Sequence, residues 1–185
     1  MDVDRIKRAL RTEVKARMPP PGSPEHAAAS RAAQERLLAV TGAARTVGLY
    51  RALPSECATS LMADALRRAG KDVCYPVIQA GRRELAFRRG EGDFRRGALG
   101  IEEPTGPEVE LAKIDLLVVP AIAVDRSGHR LGRGKGHYDA TLEGYRGRSV
   151  ALVFETQIVE NVPAAAHDRR VTAICTDARF LEVGA

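Results

Sequence analysis

The stretch that most constrains the fold runs from Ile114 to Val124, and its centre, Leu116, Leu117, Val118 and Val119, is apolar without alternation. A strand with one wet face alternates apolar and polar residues, whereas an unbroken run marks a strand covered on both faces, as in parallel sheets packed between helices. The run predicts one long central strand. Around it, helical and strand periods alternate. Val3, Ile6, Leu10 and Val14 recur at helical spacing and predict an amphipathic helix over 2–17, ending before the prolines at 19–21. Ser23 followed by Pro24 reads as an N-cap with a first-turn proline, opening a second helix to about residue 40. Further helices are expected at 55–69, closed by Gly70, and at 138–142, with strands at 46–50, 73–78, 84–89, 150–154 and 172–175. This interleaving predicts one α/β domain of three layers, a mostly parallel sheet with helices on both faces.

Composition narrows the function. A chain of 185 residues suits one domain with a proper core, and 44% hydrophobic with 29% charged residues excludes disordered and fibrous classes. A net charge of +5 and a pI near 9.4 favour acidic ligands, but the cations are spread along the chain instead of forming a tail, which disfavours nucleic acid. The polar N-terminus and the lack of any apolar run of about 18 residues predict neither a signal peptide nor a membrane span. Cys57, Cys74 and Cys175 are too irregularly spaced for a disulfide framework or a zinc site, so a reducing cytoplasm is expected. His26 and His129 read as surface residues.

Directly behind the apolar run lie Gly128, Gly132, Gly134 and Gly136, interleaved with Arg130, Arg133 and Lys135. Glycine lets backbone approach a ligand closely and adopt positive φ, so several N–H groups can converge on an anion while the cations supply full charge. The spacing fits neither the P-loop nor the dinucleotide fingerprint. Phosphate binding of another architecture remains, with Asp139 placed to offer an oxygen ligand to a hard cation such as Mg²⁺. Read from these residues alone, a solvated glycine-rich turn, with Asp139 capping the next helix, stays open beside it.

The run from Val119 to Asp125, then Gly128, then Arg130 to Asp139, resembles the signature of the 5-formyltetrahydrofolate cyclo-ligase family, also called methenyltetrahydrofolate synthetases. Three more stretches are similar to family motifs, in order: Lys7 to Arg11, Glu56 with Thr59, and Ile101 to Pro104. The resemblance implies an ATP- and Mg²⁺-dependent closure of 5-formyltetrahydrofolate to 5,10-methenyltetrahydrofolate, releasing ADP and phosphate. The formyl oxygen takes the terminal phosphoryl group and N10 of the same molecule then attacks, so the protein chiefly positions groups and stabilises charge.

By that resemblance Lys7, Arg8 and Arg11 hold the nucleotide, and Arg130, Leu131, Gly132, Arg133, Gly134, Lys135, Gly136, His137 and Tyr138 wrap its triphosphate. Residues 133 to 138 also meet the folate, together with Glu56 and Arg51. Arg133 and Lys135 are the expected catalytic pair, and Asp139 and Asp168 the expected Mg²⁺ ligands. Two positions depart from the family: His137 stands where many members carry tyrosine, and Arg51 where they often present an apolar contact. Of Tyr50, Phe87, Tyr138 and Phe154, Tyr138 is the expected stacking residue and Phe154 a core residue. The paired arginines at 82–83, 88–89 and 95–96 read first as a charged hairpin edge, with attraction of a polyglutamylated folate tail or a nucleotide as the alternative, and His167 reads as a loop residue near the metal. The expected partners are a folate and a nucleotide bound to a monomer, without nucleic acid or membrane. A phosphorylated-metabolite enzyme on a similar scaffold and a noncatalytic basic binding module are the competing readings.

Overall fold

The computed structural model describes residues 3–90, 93–97, 100–165 and 168–184. Four α-helices are present among them, α1 (Val3–Arg17), α2 (Pro24–Ala39), α3 (Ser60–Arg68) and α4 (His137–Gly144). The strands are β1 (Thr46–Gly48), β2 (Asp72–Val77), β3 (Ala86–Arg89), β4 (Phe94–Arg96), β5 (Glu102–Pro104), β6 (Glu108–Val109), β7 (Leu116–Val119), β8 (Ala123–Asp125), β9 (Arg130–Leu131), β10 (Arg148–Leu152), β11 (Ile158–Val159), β12 (Ala173–Cys175) and β13 (Phe180–Glu182). Eight of them form the main sheet in the order β13-β12-β10-β7-β1-β2-β3-β6. The five from β12 to β2 are mutually parallel; β13 on one side and β3 and β6 on the other add antiparallel edges. The expected α/β fold with a mostly parallel sheet is what forms.

The two faces of the sheet are covered differently. Val47, Leu49, Val73, Val118, Val150 and Leu152 point to one side, against Ala33 and Leu37 of α2 and Met62, Ala63 and Leu66 of α3. Leu117, Val119, Ala151 and Ile174 point to the other, against Leu142 of α4, Val124 of β8 and Tyr145. β7 is thus buried at every residue, as its unbroken apolar run requires. Helix α1 covers neither face. Its Val14 packs on Ala123 and Leu131 of the smaller sheet, β11-β8-β9, and on Ile122 and Val162 beside it, while Val3 and Ile6 at its start stay exposed. Only the second half of the expected apolar stripe is used.

Local signals set several ends. Ser23 Oγ accepts a hydrogen bond from His26 N at 3.1 Å with Pro24 at the first turn of α2, as read from sequence. α3 closes on Gly70 at φ +71°, with Lys71 N bonded to Leu66 O and Gly70 N to Arg67 O, the paired bonds of a Schellman ending. That helix starts at Ser60, five residues later than expected, because Glu56 folds back to accept from Leu53 N and Thr59 Oγ1 donates to Tyr50 O. The long central strand is two strands: Pro120 lacks the N–H to continue the ladder, and the chain turns out of the main sheet into β8. Gln157, itself buried, donates its Nε2 hydrogens to the Ala121 and Ile122 carbonyls that this turn leaves behind, at 2.7 and 3.1 Å. β4 and β5 form an antiparallel hairpin that the short, charged stretch does not announce in the sequence. The glycine segment also carries a strand, β9, at Arg130–Leu131.

His26 is a correction: it is buried at 9% exposure, with its ring edge-on to Phe154 at 5.1 Å between centroids. His129 is half-buried, accepting from Arg170 Nε at its Nε2 and facing Ser127 Oγ with its Nδ1. With Nε2 accepting, Nδ1 is the ring nitrogen left to face Ser127. Ser127 then passes its own hydrogen to buried Asp125, which also accepts from His129 N and Val162 N, and this network locks the β8–β9 turn.

Candidate active site

The carboxyl ends of parallel strands are where loops diverge and open a crevice. Here the segments leaving β1, β2 and β7 surround a cleft of about 310 Å³. Tyr50, Arg51, Leu53 and Glu56 follow β1; Ile78, Arg83 and Leu85 follow Pro76 of β2; Pro120 to Ile122 follow β7. The glycine segment from Arg130 to Asp139 forms one wall, α1 brings Asp4, Lys7 and Arg11 to another, and Ile101 and Glu103 reach in from the β4–β5 hairpin. Seven Lys and Arg side chains and five carboxylates line the cleft, so it carries a net positive charge.

Most expected residues meet here. Lys7 and Arg11, one turn apart, share the face of α1 that lines the cleft, whereas Arg8 is exposed and does not line it. Lys7 Nζ pairs with Asp168 at 2.6 Å, and the same carboxylate accepts from Ala165 N. Arg11 Nε donates to the Gly132 carbonyl at 2.9 Å and so ties the first helix to the glycine segment. Arg130, with 3% of its side chain exposed, donates through Nη2 to Asp139 Oδ1 at 2.9 Å and lies over the Tyr138 ring at 5.7 Å. Burial lowers the Arg130 pKa, opposed chiefly by Asp139, and its Nε is buried with no hydrogen-bond partner among the described residues. Burial, reinforced by Glu56, pushes the Tyr138 phenol up, so this ring keeps its hydroxyl hydrogen.

Arg133 Nε donates to Glu56 Oε1 at 3.0 Å, joining the expected catalytic and folate-side residues across the cleft. Lys135 is exposed, and no hydrogen bond or ion pair is seen for it among the described residues. Gly134 and Gly136 take φ of +92° and +72°, which only glycine adopts without strain, and Gly136 is the N-cap of α4. Leu131 is buried beneath them. His137 Nδ1 lies 2.7 Å from the Arg83 carbonyl instead of facing a ring partner. Asp139 sits in the first turn of α4 without capping it, accepting from Arg130 and, at 3.3 Å, from Arg169 N. Arg51 pairs with Glu102 and covers the Phe94 ring at 4.8 Å. Phe87 and Phe154 are core residues, Tyr50 donates to the Cys57 carbonyl, and Thr59 is structural. His167 lies outside the described residues.

Sequence reasoning missed Asp4, gave Arg83 only a secondary binding role, and placed Ile101 and Glu103 in a motif without assigning them to the cleft. Asp4 was findable, being three residues before Lys7 on one helical face. Glu103 is buried and accepts from Ile78 N at 3.0 Å, which fixes the hairpin to the end of β2.

A family model described as 5-formyltetrahydrofolate cyclo-ligase family matches residues 3–177. A protein of that name from Mycolicibacterium smegmatis is 34% identical over 145 residues, covering 73% of this chain and 75% of its own. One from Escherichia coli is 30% identical over 148 residues, covering 75% and 81%. Among solved structures, the 5,10-methenyltetrahydrofolate synthetase of Aquifex aeolicus superposes with a TM-score of 0.83 at 25% identity, over 97% of this chain and 94% of that one. The glycine segment, the α1 cations and the Glu56 loop that build the cleft all fall within the matched residues, and this chain belongs to the 5-formyltetrahydrofolate cyclo-ligase family.

Proposed function

We propose that the protein closes 5-formyltetrahydrofolate to 5,10-methenyltetrahydrofolate with consumption of ATP, acting as a cytoplasmic monomer on small molecules, without nucleic acid or membrane. No helix among the described residues is long and apolar enough to cross a membrane. The observation that carries the proposal is the net positive cleft in which Arg11, Arg133, Lys135 and two left-handed glycines converge. Such a wall suits a triphosphate, and the apolar floor of Leu85, Pro120 and Ile122 suits a flat pterin beside it.

Each residue then has a task. Lys7 and Arg11 grip phosphate oxygens from α1. The backbone from Gly132 to Gly136 cradles them, with the N-terminus of α4 adding its dipole. Arg133 and Lys135 stabilise the phosphoryl group in transit to the formyl oxygen, where fixed charges act without reorganising. Glu56 orients Arg133 toward the folate's reacting end, and protonated Tyr138 lends its ring edge and hydroxyl. Holding the formyl carbon near N10 makes the closure intramolecular, so no covalent enzyme intermediate is needed.

The residues present fit Mg²⁺. Asp139 commits Oδ1 to Arg130 and Arg169 N, while Oδ2 has no hydrogen bond among the described residues, and Asp168 lies on the same cleft. Mg²⁺ needs only one or two carboxylates and completes its shell with water and phosphate. Asp139 and Asp168 would hold it, and when bound it would neutralise charge on the phosphate oxygens. The test is to mix the purified protein with ATP, Mg²⁺ and 5-formyltetrahydrofolate and follow the near-ultraviolet band of the methenyl product together with ADP. Product and ADP should rise in equal amounts. ADP without methenyl product, or neither, would overturn the proposal.

A further inference from the structure

The cations of the cleft divide into two groups. Lys7, Arg51, Arg130 and Arg133 are paired with Asp168, Glu102, Asp139 and Glu56. Arg11, Arg83 and Lys135 have no carboxylate partner among the described residues; the carboxylate next to Arg83, Glu84, faces Arg82. Charge already neutralised by a neighbour offers a ligand less than charge held in reserve. These three are the reserve.

Arg11 and Arg83 both approach the glycine segment, Arg83 the more closely. A Cβ placed on Gly134 would meet Arg11 Nη2 at 3.5 Å, and one placed on Gly136 would meet Arg83 Nη2 at 2.6 Å. The Arg83 guanidinium therefore fills space that a side chain at Gly136 would have taken, Arg11 lies at ordinary contact distance from Gly134, and Lys135 lies between the two glycines in the chain. The Arg83 backbone is held in register with α4 at two points: its carbonyl lies 2.7 Å from His137 Nδ1, and Leu85 N donates to Thr141 Oγ1 at 2.9 Å. A fixed backbone with an uncommitted guanidinium is the arrangement of a ligand-gripping arginine.

We propose that Arg83 binds phosphate, joining Arg11 and Lys135 around the terminal phosphate of the nucleotide. The inference rests on the cyclisation reading above for the identity of that nucleotide. Three cations packed on one tripeptide, Gly134 to Gly136, match a single multiply charged group with several oxygens. The separated carboxylates of a folate's glutamate tail would call for separated cations.

The test compares Arg83→Ala and Arg83→Lys with the unaltered protein, measuring Mg·ATP and ADP binding by calorimetry and the separate KM values for ATP and for folates with one or several glutamates. A lost charge-assisted hydrogen bond to phosphate should weaken ATP binding roughly ten- to hundredfold in Arg83→Ala. ADP binding should change far less, Arg83→Lys should recover part of the loss, the KM for either folate should stay put, and the melting temperature should hold. ATP affinity within twofold of the unaltered protein would overturn the assignment, as would an effect confined to the KM of the longer-tailed folate. Binding of ATP without any methenyl product would instead sink the cyclisation reading, while the binding comparison would still decide the role of Arg83. No ATP binding by the unaltered protein would overturn both.

Discussion

Lys135 and Asp139 sit four residues apart on the cleft wall but differ in what the fold asks of them. Lys135 is exposed and without a partner among the described residues, so the fold does not need its charge. Lys135→Ala should therefore lower turnover by about 10² to 10³, the usual cost of one positioned transition-state charge, and leave stability within about 0.5 kcal/mol. Turnover near the original rate would remove Lys135 from the reaction, and a collapsed melting temperature would show that its role is structural. Asp139 is bound into the protein through Arg130, whose guanidinium is almost fully buried. Asp139→Asn keeps an oxygen for Arg130 and Arg169 N but loses the negative charge. The Mg²⁺ concentration for half-maximal rate should rise by about tenfold, in the range reported for disturbed metal ligation, and the melting temperature should fall because a buried cation loses its counter-charge. An unchanged magnesium titration would argue against ligation at Asp139.

The elements show how local chemistry and packing divide the work. The start of α2 is a property of Ser23 and Pro24 themselves, and none of Ser23, Pro24 and His26 lines the cleft. Ser23→Ala should cost about 1 kcal/mol of stability in chemical denaturation with kinetics unaltered. Loss of turnover beyond that expected from unfolding would mean that α2 communicates with the site. The central strand shows the reverse dependence. Its apolar run gave no hint of a break apart from Pro120, and where the chain goes after that proline depends on Gln157, distant in sequence, satisfying two carbonyls. α1 is intermediate: its periodicity predicts the helix, yet only the small sheet it meets decides that Val14 is buried while Val3 and Ile6 are not.

Across the whole molecule, both faces of the main sheet are closed, and each free thiol lies inside one of its layers. Cys57, Cys74 and Cys175 are at most 1% exposed, and burial above all pushes each thiol up to about 12. At pH 8 the native protein should not react with a disulfide reagent over minutes, and all three thiols should react once denaturant unfolds it, with labelling that tracks the global transition. Fast labelling of any one of them in native buffer would reveal a local opening absent from this packing. The fold class was legible because unbroken and periodic apolar patterns report which faces are covered, and the glycine segment because few folded uses exist for so many glycines and cations at such spacing. Arg8 could not be separated from Lys7 and Arg11 until the α1 face was fixed, nor could His26 be assigned to the interior before Phe154 was packed against it. Arg83 entered the cleft only because the β2–β3 connection is bonded to α4. Sequence by itself determined the fold class, most of the elements, the start of α2, the end of α3 and the supply of glycines and cations behind the central strand, all set by neighbours within a few residues. Tertiary structure alone decided which cations are neutralised and which remain available, because that depends on partners as far apart as Lys7 and Asp168, which only the closed fold brings within reach.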